Sequence, residues 1–391
     1  MVPEPGLTPA TPDEQSPVPD ASAGQPIPPG YGYPPQPWYP PQPGYPPPPG
    51  YPPTGYPPPG YPRAGAPYPM TGGPLPYPQP YPPAAPAKPP ALPVEPKAYH
   101  EFYRAPRFRW WKPLAAIGLI GLAWLIESVL VVGIALGADL ATGRISQLTD
   151  ALTSLTPALF LANNVSLGVL IPLAMLVSWL VFGQFPRWLT SIAGGFRWSV
   201  FIQSAVIAAV PLLVFLFWGG FEGLSWNPDS AFLIVAVLLT TPFQAAGEEY
   251  LVRGLLARSI GSWFRVRWLG FAVATAVTSL IFMALHGAGD PWLNAFYLTF
   301  GVVASVITWR TGGLEAAIAL HVMNNLIGEV SLPFGGLEHL MDRQAGVAGP
   351  EVLIQIGVML LIGGVIYWRA ARRKISTTAV PFVHGATSEL S

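Results

Sequence analysis

The chain has 391 residues, no cysteine, and equal numbers of basic and acidic side chains, so its formal net charge is zero. Neutrality argues against nucleic acid or any strongly charged partner, and the missing cysteine excludes disulfides, thiolate metal sites and a cysteine nucleophile. Only 10% of residues are charged and mean hydropathy is +0.40, which suits a chain that spends much of its length in lipid.

Residues 1–98 hold most of the 50 prolines, with tyrosine and glycine and hardly any Leu, Ile or Val. Such a segment cannot bury enough apolar surface to offset its ordering entropy, so a disordered Pro/Gly/Tyr-rich tail is expected. Gly44-Tyr45-Pro46-Pro47, Gly50-Tyr51-Pro52-Pro53 and Gly55-Tyr56-Pro57-Pro58 form a short array that samples extended polyproline conformations. A spacer is the simpler reading of this array; a Pro-binding module is the candidate partner if it is more. Residues 1–30 have no apolar core of a signal peptide, so the first hydrophobic run, near 114, is expected to act as the targeting signal.

Past the tail the composition turns Leu/Val/Ala/Ile-rich, and an all-α polytopic membrane domain is expected over 99–375, followed by a short tail at 376–391. Eight apolar runs read as spans: 114–137, 158–183, 199–219, 231–257, 269–286, 292–309, 314–329 and 352–368. Basic residues alternate with them. Arg104, Arg107, Arg109 and Lys112 precede the first span, Arg187 and Arg197 follow the second, Arg258, Arg265 and Arg267 the fourth, and Arg310 the sixth. Arg369, Arg372, Arg373 and Lys374 follow the eighth, and only Arg144 and Arg343 break the pattern. The positive-inside rule then places both termini in the cytoplasm of a multi-pass protein of the cell membrane.

Within the spans lie polar residues that hydrocarbon tolerates poorly, which usually face a bundle interior and act there. Glu248 and Glu249 are adjacent, hence about 100° apart on a helix and facing different neighbours. Arg253 follows Glu249 by four residues, the spacing of an ion pair, which leaves Glu248 free to work on water as a general base. Phe282 and His286 share a helix face, and His321 and Asn325 repeat that spacing in the seventh span. An imidazole can hold a water or donate to an oxyanion, and an amide NH₂ can donate. Taken singly, each of these residues also reads as a packed, hydrogen-bonded helix residue. Together, carboxylate, imidazoles and amide form a set suited to peptide hydrolysis.

Other intramembrane protease plans find no support. No H-E-x-x-H zinc motif and no G-x-S-x-G occur. Asp290, in Gly287-Ala288-Gly289-Asp290-Pro291, reads as part of a helix stop and turn, with no second aspartate inside a span to share a proton.

Glu248-Glu249-x-x-x-Arg253, Phe282-x-x-x-His286 and His321-x-x-x-Asn325, in that order, resemble the three motifs of the CAAX protease and bacteriocin-processing (CPBP, or Abi) intramembrane peptidases, which include the type II CAAX prenyl endopeptidases. The resemblance covers roughly residues 231–330. It implies an endopeptidase in which Glu248, with His286, polarises the attacking water. His321 and Asn325 would form the oxyanion hole, with Glu249, Arg253 and Phe282 in support. It leaves open a divalent metal such as zinc, for which Glu248, His286 and His321 would supply a His₂Glu set. The implied substrate is a membrane-associated protein or peptide.

Counting rise along each helix puts Glu248 and His321 roughly 15 Å deep but His286 nearer 28 Å, so the fifth span is expected to be displaced, tilted or cut short. The competing classes are a non-proteolytic scaffold or immunity protein, and a proton-coupled transporter using the same polar residues as a relay. A transporter should show repeated halves with paired broken helices, and none is visible.

Overall fold

A computed structural model describes residues 88–381 except 153, 220–223, 338–339 and 341. The tail expected over 1–98 therefore falls outside the described residues for its first 87 positions, as do residues 382–391 of the C-terminal tail.

The description opens on a segment whose aromatic residues are buried. Tyr99, Phe102 and Tyr103 pack beneath the helices, with the Tyr99 hydroxyl donating to the Leu189 carbonyl at 2.6 Å. Helix α1 (Lys112–Ala141) follows, apolar all round and buried at only a few positions. This is the pattern of a helix whose main neighbour is lipid. Its buried Asp139 accepts from Thr156, which in turn caps the first turn of α2 through the Leu159 amide. Helix α2 (Pro157–Phe182) closes in a π-helical turn and ends at Gly183, whose φ of +75° suits the left-handed C-terminal cap. A short α3 (Pro186–Thr190) leads to α4 (Trp198–Gly219).

Helix α5 (Ser230–Gly261) is the longest, at 32 residues. It runs α-helical to Glu249, π-helical across Tyr250–Leu256, and α-helical again to Gly261. Gly247 is required where α5 crosses α2, because a Cβ there would overlap the Leu167 carbonyl. Then come α6 (Arg267–Leu285), α7 (Pro291–Thr311), α8 (Glu315–Gly328), a single turn α9 (Leu332–Gly335) and α10 (Val352–Arg372). Asp290 caps α7 by accepting from the Trp292 and Leu293 amides, which gives it the turn position read from the sequence.

The eight expected spans become seven long ones plus α8. Among the described residues, seven helices are long and apolar enough to cross a bilayer. At 14 residues, α8 reaches only about 21 Å. At its start Glu315 is fully buried and held by the Arg197 guanidinium through two hydrogen bonds of 2.8 and 2.7 Å, which fixes α8 against the segment that precedes α4. Beyond its end, the Pro333 carbonyl accepts from Asn227 and Ser230 at the start of α5, which ties the chain past Gly328 to that end of α5.

Helix α8 sits among α4, α5 and α7, while α10 packs on α7 and α4. The flanks of the bundle meet: β1 (Lys97–Ala98) pairs antiparallel with β2 (Thr378–Ala379). The segments before α1 and after α10 are therefore joined at one end of the bundle. Arg144 and Arg343, the two exceptions to the charge pattern, are both engaged. Arg144 forms a two-bond pair with Asp229, and Arg343 donates to the carbonyls of His286 and Leu340.

Candidate active site

Glu248 and Glu249 diverge as helical geometry demands. Glu249 is sealed in the bundle at 0% side-chain exposure, and its Oε1 accepts from Arg253 Nη1 and from His321 Nδ1, each at 2.9 Å. Arg253, 1% exposed, lies with its guanidinium 4.5 Å from the centre of the Phe282 ring. Phe282 stacks on Phe300, and both rings stand edge-on to His321. A buried charge pair is tolerable only when such contacts replace water, and here two aromatic faces and an imidazole do so.

Glu248 faces the other way, into a cavity of about 740 Å³ between α2, α5, α6, α7 and α8. Its carboxylate accepts from Gln244 Nε2 one turn earlier, and Oε2 lies 3.8 Å from His321 Nε2. Gln244 reaches across to α8 as well, accepting at Oε1 from Asn325 Nδ2 at 3.0 Å. His321 thus stands between the carboxylates: Nδ1 is committed to Glu249, while Nε2 is left toward Glu248. That commitment fixes the neutral ring with its proton on Nδ1.

His286 caps the C-terminal end of α6, with Nδ1 against the Phe282 carbonyl at 2.8 Å and its ring stacked on Tyr297 at 4.0 Å. Helix α6 stops there, Gly287 turning away at φ +62°. This settles the depth conflict. Phe282 is level with His321, and His286 is one helical turn further along, about 6 Å of rise, yet both line the cavity that Glu248 faces.

The His₂Glu set that the sequence left open is not gathered at one point. Glu248 and His321 face each other, but His286 does not join them, and among the described residues no three His, Asp or Glu converge closely enough to hold an ion. The donor set of Glu248, His286 and His321 therefore does not fit zinc in this arrangement.

Several cavity residues escaped the sequence reading. Gln244 bridges Glu248 and Asn325; Tyr297 carries the His286 ring; Glu329 accepts from Thr241 Oγ1 at 2.7 Å. Gln244 and Glu329 were each within reach of a simple rule, because they stand four residues from Glu248 and Asn325 on the same helix faces. Tyr297 has no such signal, since its partner lies across a turn on another helix.

Fold and site define an integral, multi-pass membrane protein that gathers Glu248, Glu329, His286, Gln244 and Asn325 around one cavity between its helices. Residues 229–327, from the start of α5 almost to the end of α8, match the family described as Type II CAAX prenyl endopeptidase Rce1-like. The family resemblance carried by the three motifs is thus the one that comparison returns. The chain is also 29% identical over 153 residues to the uncharacterized protein YyaK of Bacillus subtilis (strain 168), across 36% of this chain and 50% of that protein. It therefore spans about half the length of this curated relative. No solved structure matches.

Proposed function

We propose that the protein is an intramembrane endopeptidase that hydrolyses a peptide bond of a membrane-associated protein or peptide. It would sit in the cell membrane, with the arginine-rich end and both chain termini in the cytoplasm. The observation that carries this reading is the pairing of Glu248, in the wall of the cavity, with His321 Nε2 behind it, in a segment that matches a protease family. A water bridging the 3.8 Å between Glu248 Oε2 and His321 Nε2 lies within hydrogen-bond reach of both. Glu248 takes its proton as the water attacks the scissile carbonyl, and returns it to the amide nitrogen as the C–N bond breaks and the amine leaves.

The oxyanion that forms is met by donors already positioned. Asn325 spends one amide hydrogen on Gln244 and keeps the other. His321, its Nδ1 held by Glu249, donates from Nε2 only when both ring nitrogens carry a proton. His286, its Nδ1 engaged by the Phe282 carbonyl, presents Nε2 as an acceptor for a second cavity water. Glu249 and Arg253 act through His321, holding its tautomer and angle.

The test is cleavage of a quenched peptide library by the full-length protein in liposomes, comparing wild type with Glu248→Ala and His321→Ala and adding a chelator arm to report on metal. Loss of cleavage in both folded variants supports the proposal. Substantial activity surviving in Glu248→Ala overturns it.

A further inference from the structure

A second cavity, of about 330 Å³, lies between α4 and α10 at the end of the bundle that carries β1 and β2. It shares no residue with the cavity around Glu248. Three guanidinium groups line it: Arg197, just before α4, and Arg369 and Arg373, in the last turns of α10. Only Arg197 has a counter-charge, the buried Glu315. Arg369 spends Nε on the neutral side chain of Gln203 at 3.1 Å. Among the described residues no carboxylate pairs with Arg369 or Arg373. One carboxylate for three guanidinium groups leaves two cations uncompensated in one concave site.

Val200 and Ile366 supply an apolar wall, and beyond it both helices present exposed aliphatic side chains such as Val206 and Val365. The site is thus basic at the helix ends, where phosphate groups of a bilayer lie, and apolar toward the hydrocarbon. We infer that this cavity binds the phosphate headgroup of an anionic phospholipid, with the acyl chains lying along α4 and α10. Guanidinium groups recognise phosphate by charge-assisted hydrogen bonds, and basic pockets between membrane helices are suited to lipid headgroups. Arg372 provides an internal control. It sits on the same turn of α10 but folds over Trp368, its guanidinium 5.2 Å from that ring's centre, and does not line the cavity.

The experiment is a thermal-stability titration of the full-length protein in detergent with short-chain phosphatidylglycerol, phosphatidylcholine or inorganic phosphate. Phosphatidylglycerol is expected to raise Tm saturably, and the other two are not. R369Q/R373Q should weaken the apparent affinity roughly 100-fold, as for two charge-assisted hydrogen bonds. R372Q/K374Q, which removes the same charge from the same end, should weaken it less than about tenfold, because exposed charges outside the cavity are screened by solvent. Val200→Trp, which fills the cavity and keeps every arginine, should abolish the response even if the double variant fails to fold. Equal losses in the two charge pairs would mean diffuse attraction and overturn the proposal. So would stabilisation by phosphatidylcholine, a full response to inorganic phosphate alone, or an unchanged response in Val200→Trp.

Discussion

The two carboxylates on α5 are neighbours in sequence and opposites in surroundings. Glu249 is walled in by Arg253, His321 and two phenyl rings, whereas Glu248 keeps 15% of its side chain open to the cavity. One side of the helix holds a carboxylate paired through Oε1 to a guanidinium and an imidazole; the other holds a carboxylate with room for water beside it. The difference teaches that a buried charge becomes chemically useful through what its neighbour has already satisfied. Glu249 fixes His321, and His321 then faces Glu248.

The sharpest way to break that comparison is to neutralise each carboxylate in turn. Glu248→Gln should cut kcat by about 10²–10⁴, the range for loss of a general base, with Tm nearly unchanged in a thermal-shift assay. Glu249→Gln should instead destabilise the fold by about 3–5 kcal/mol, because Arg253 would be left as an uncompensated buried charge; chemical denaturation in detergent measures it. If the two variants behave alike, the division between an open and a sealed carboxylate is wrong. Gly247→Ala probes the close crossing that holds Glu248 at the cavity. The overlap with the Leu167 carbonyl should cost about 1–3 kcal/mol, seen as a lowered Tm and a loss of activity together.

Much of this arrangement was legible in the sequence, for reasons that differ by residue. The bilayer imposes one length on every lipid-facing helix, so α1, α4 and α10 announce themselves by hydropathy. The i to i+4 spacing ties Glu249 to Arg253 and Phe282 to His286, because helix geometry leaves no choice. The seventh run, 314–329, falls on α8 (Glu315–Gly328) almost residue for residue, and its apolar content reflects burial among protein helices. The zinc set of Glu248, His286 and His321 was plausible by residue type alone. It is not gathered because His286 sits at the C-terminal cap of α6, turned to the Phe282 carbonyl and Tyr297; the stop was legible, but which way the capping ring turns was not. The aromatic shelf of Phe300 and Tyr297 joins residues from different helices, and no local pattern encodes it.

Smaller effects sharpen the comparison further. Gln244→Ala removes the link between Glu248 and Asn325 and should lower kcat about tenfold, the value of one buried hydrogen bond, with KM little changed in steady-state kinetics. The smallest effect lies outside the spans, at the half-exposed Arg144–Asp229 pair. The hydrogen bonds from Arg144 hold the Asp229 carboxyl below its ordinary value. Its contribution is therefore present above the usual carboxylate pKa and is lost as pH falls through the depressed one. Arg144→Gln should cost less than about 1 kcal/mol near neutral pH, and the gap from wild type should close below about pH 4 in thermal scans.

The short ladder between β1 and β2 has a consequence in polymer terms. Joining Ala98 to Thr378 closes a loop that contains nearly all of the membrane domain. Two strands of two residues each could not hold together the ends of so long a free chain, since a lone hairpin is marginal even with a tight turn. The penalty for closing a loop grows with the logarithm of its length, and here the docking of α10 against α4 and α7 has already met it. The ladder is therefore an indicator of bundle assembly rather than its cause, formed last and opened first.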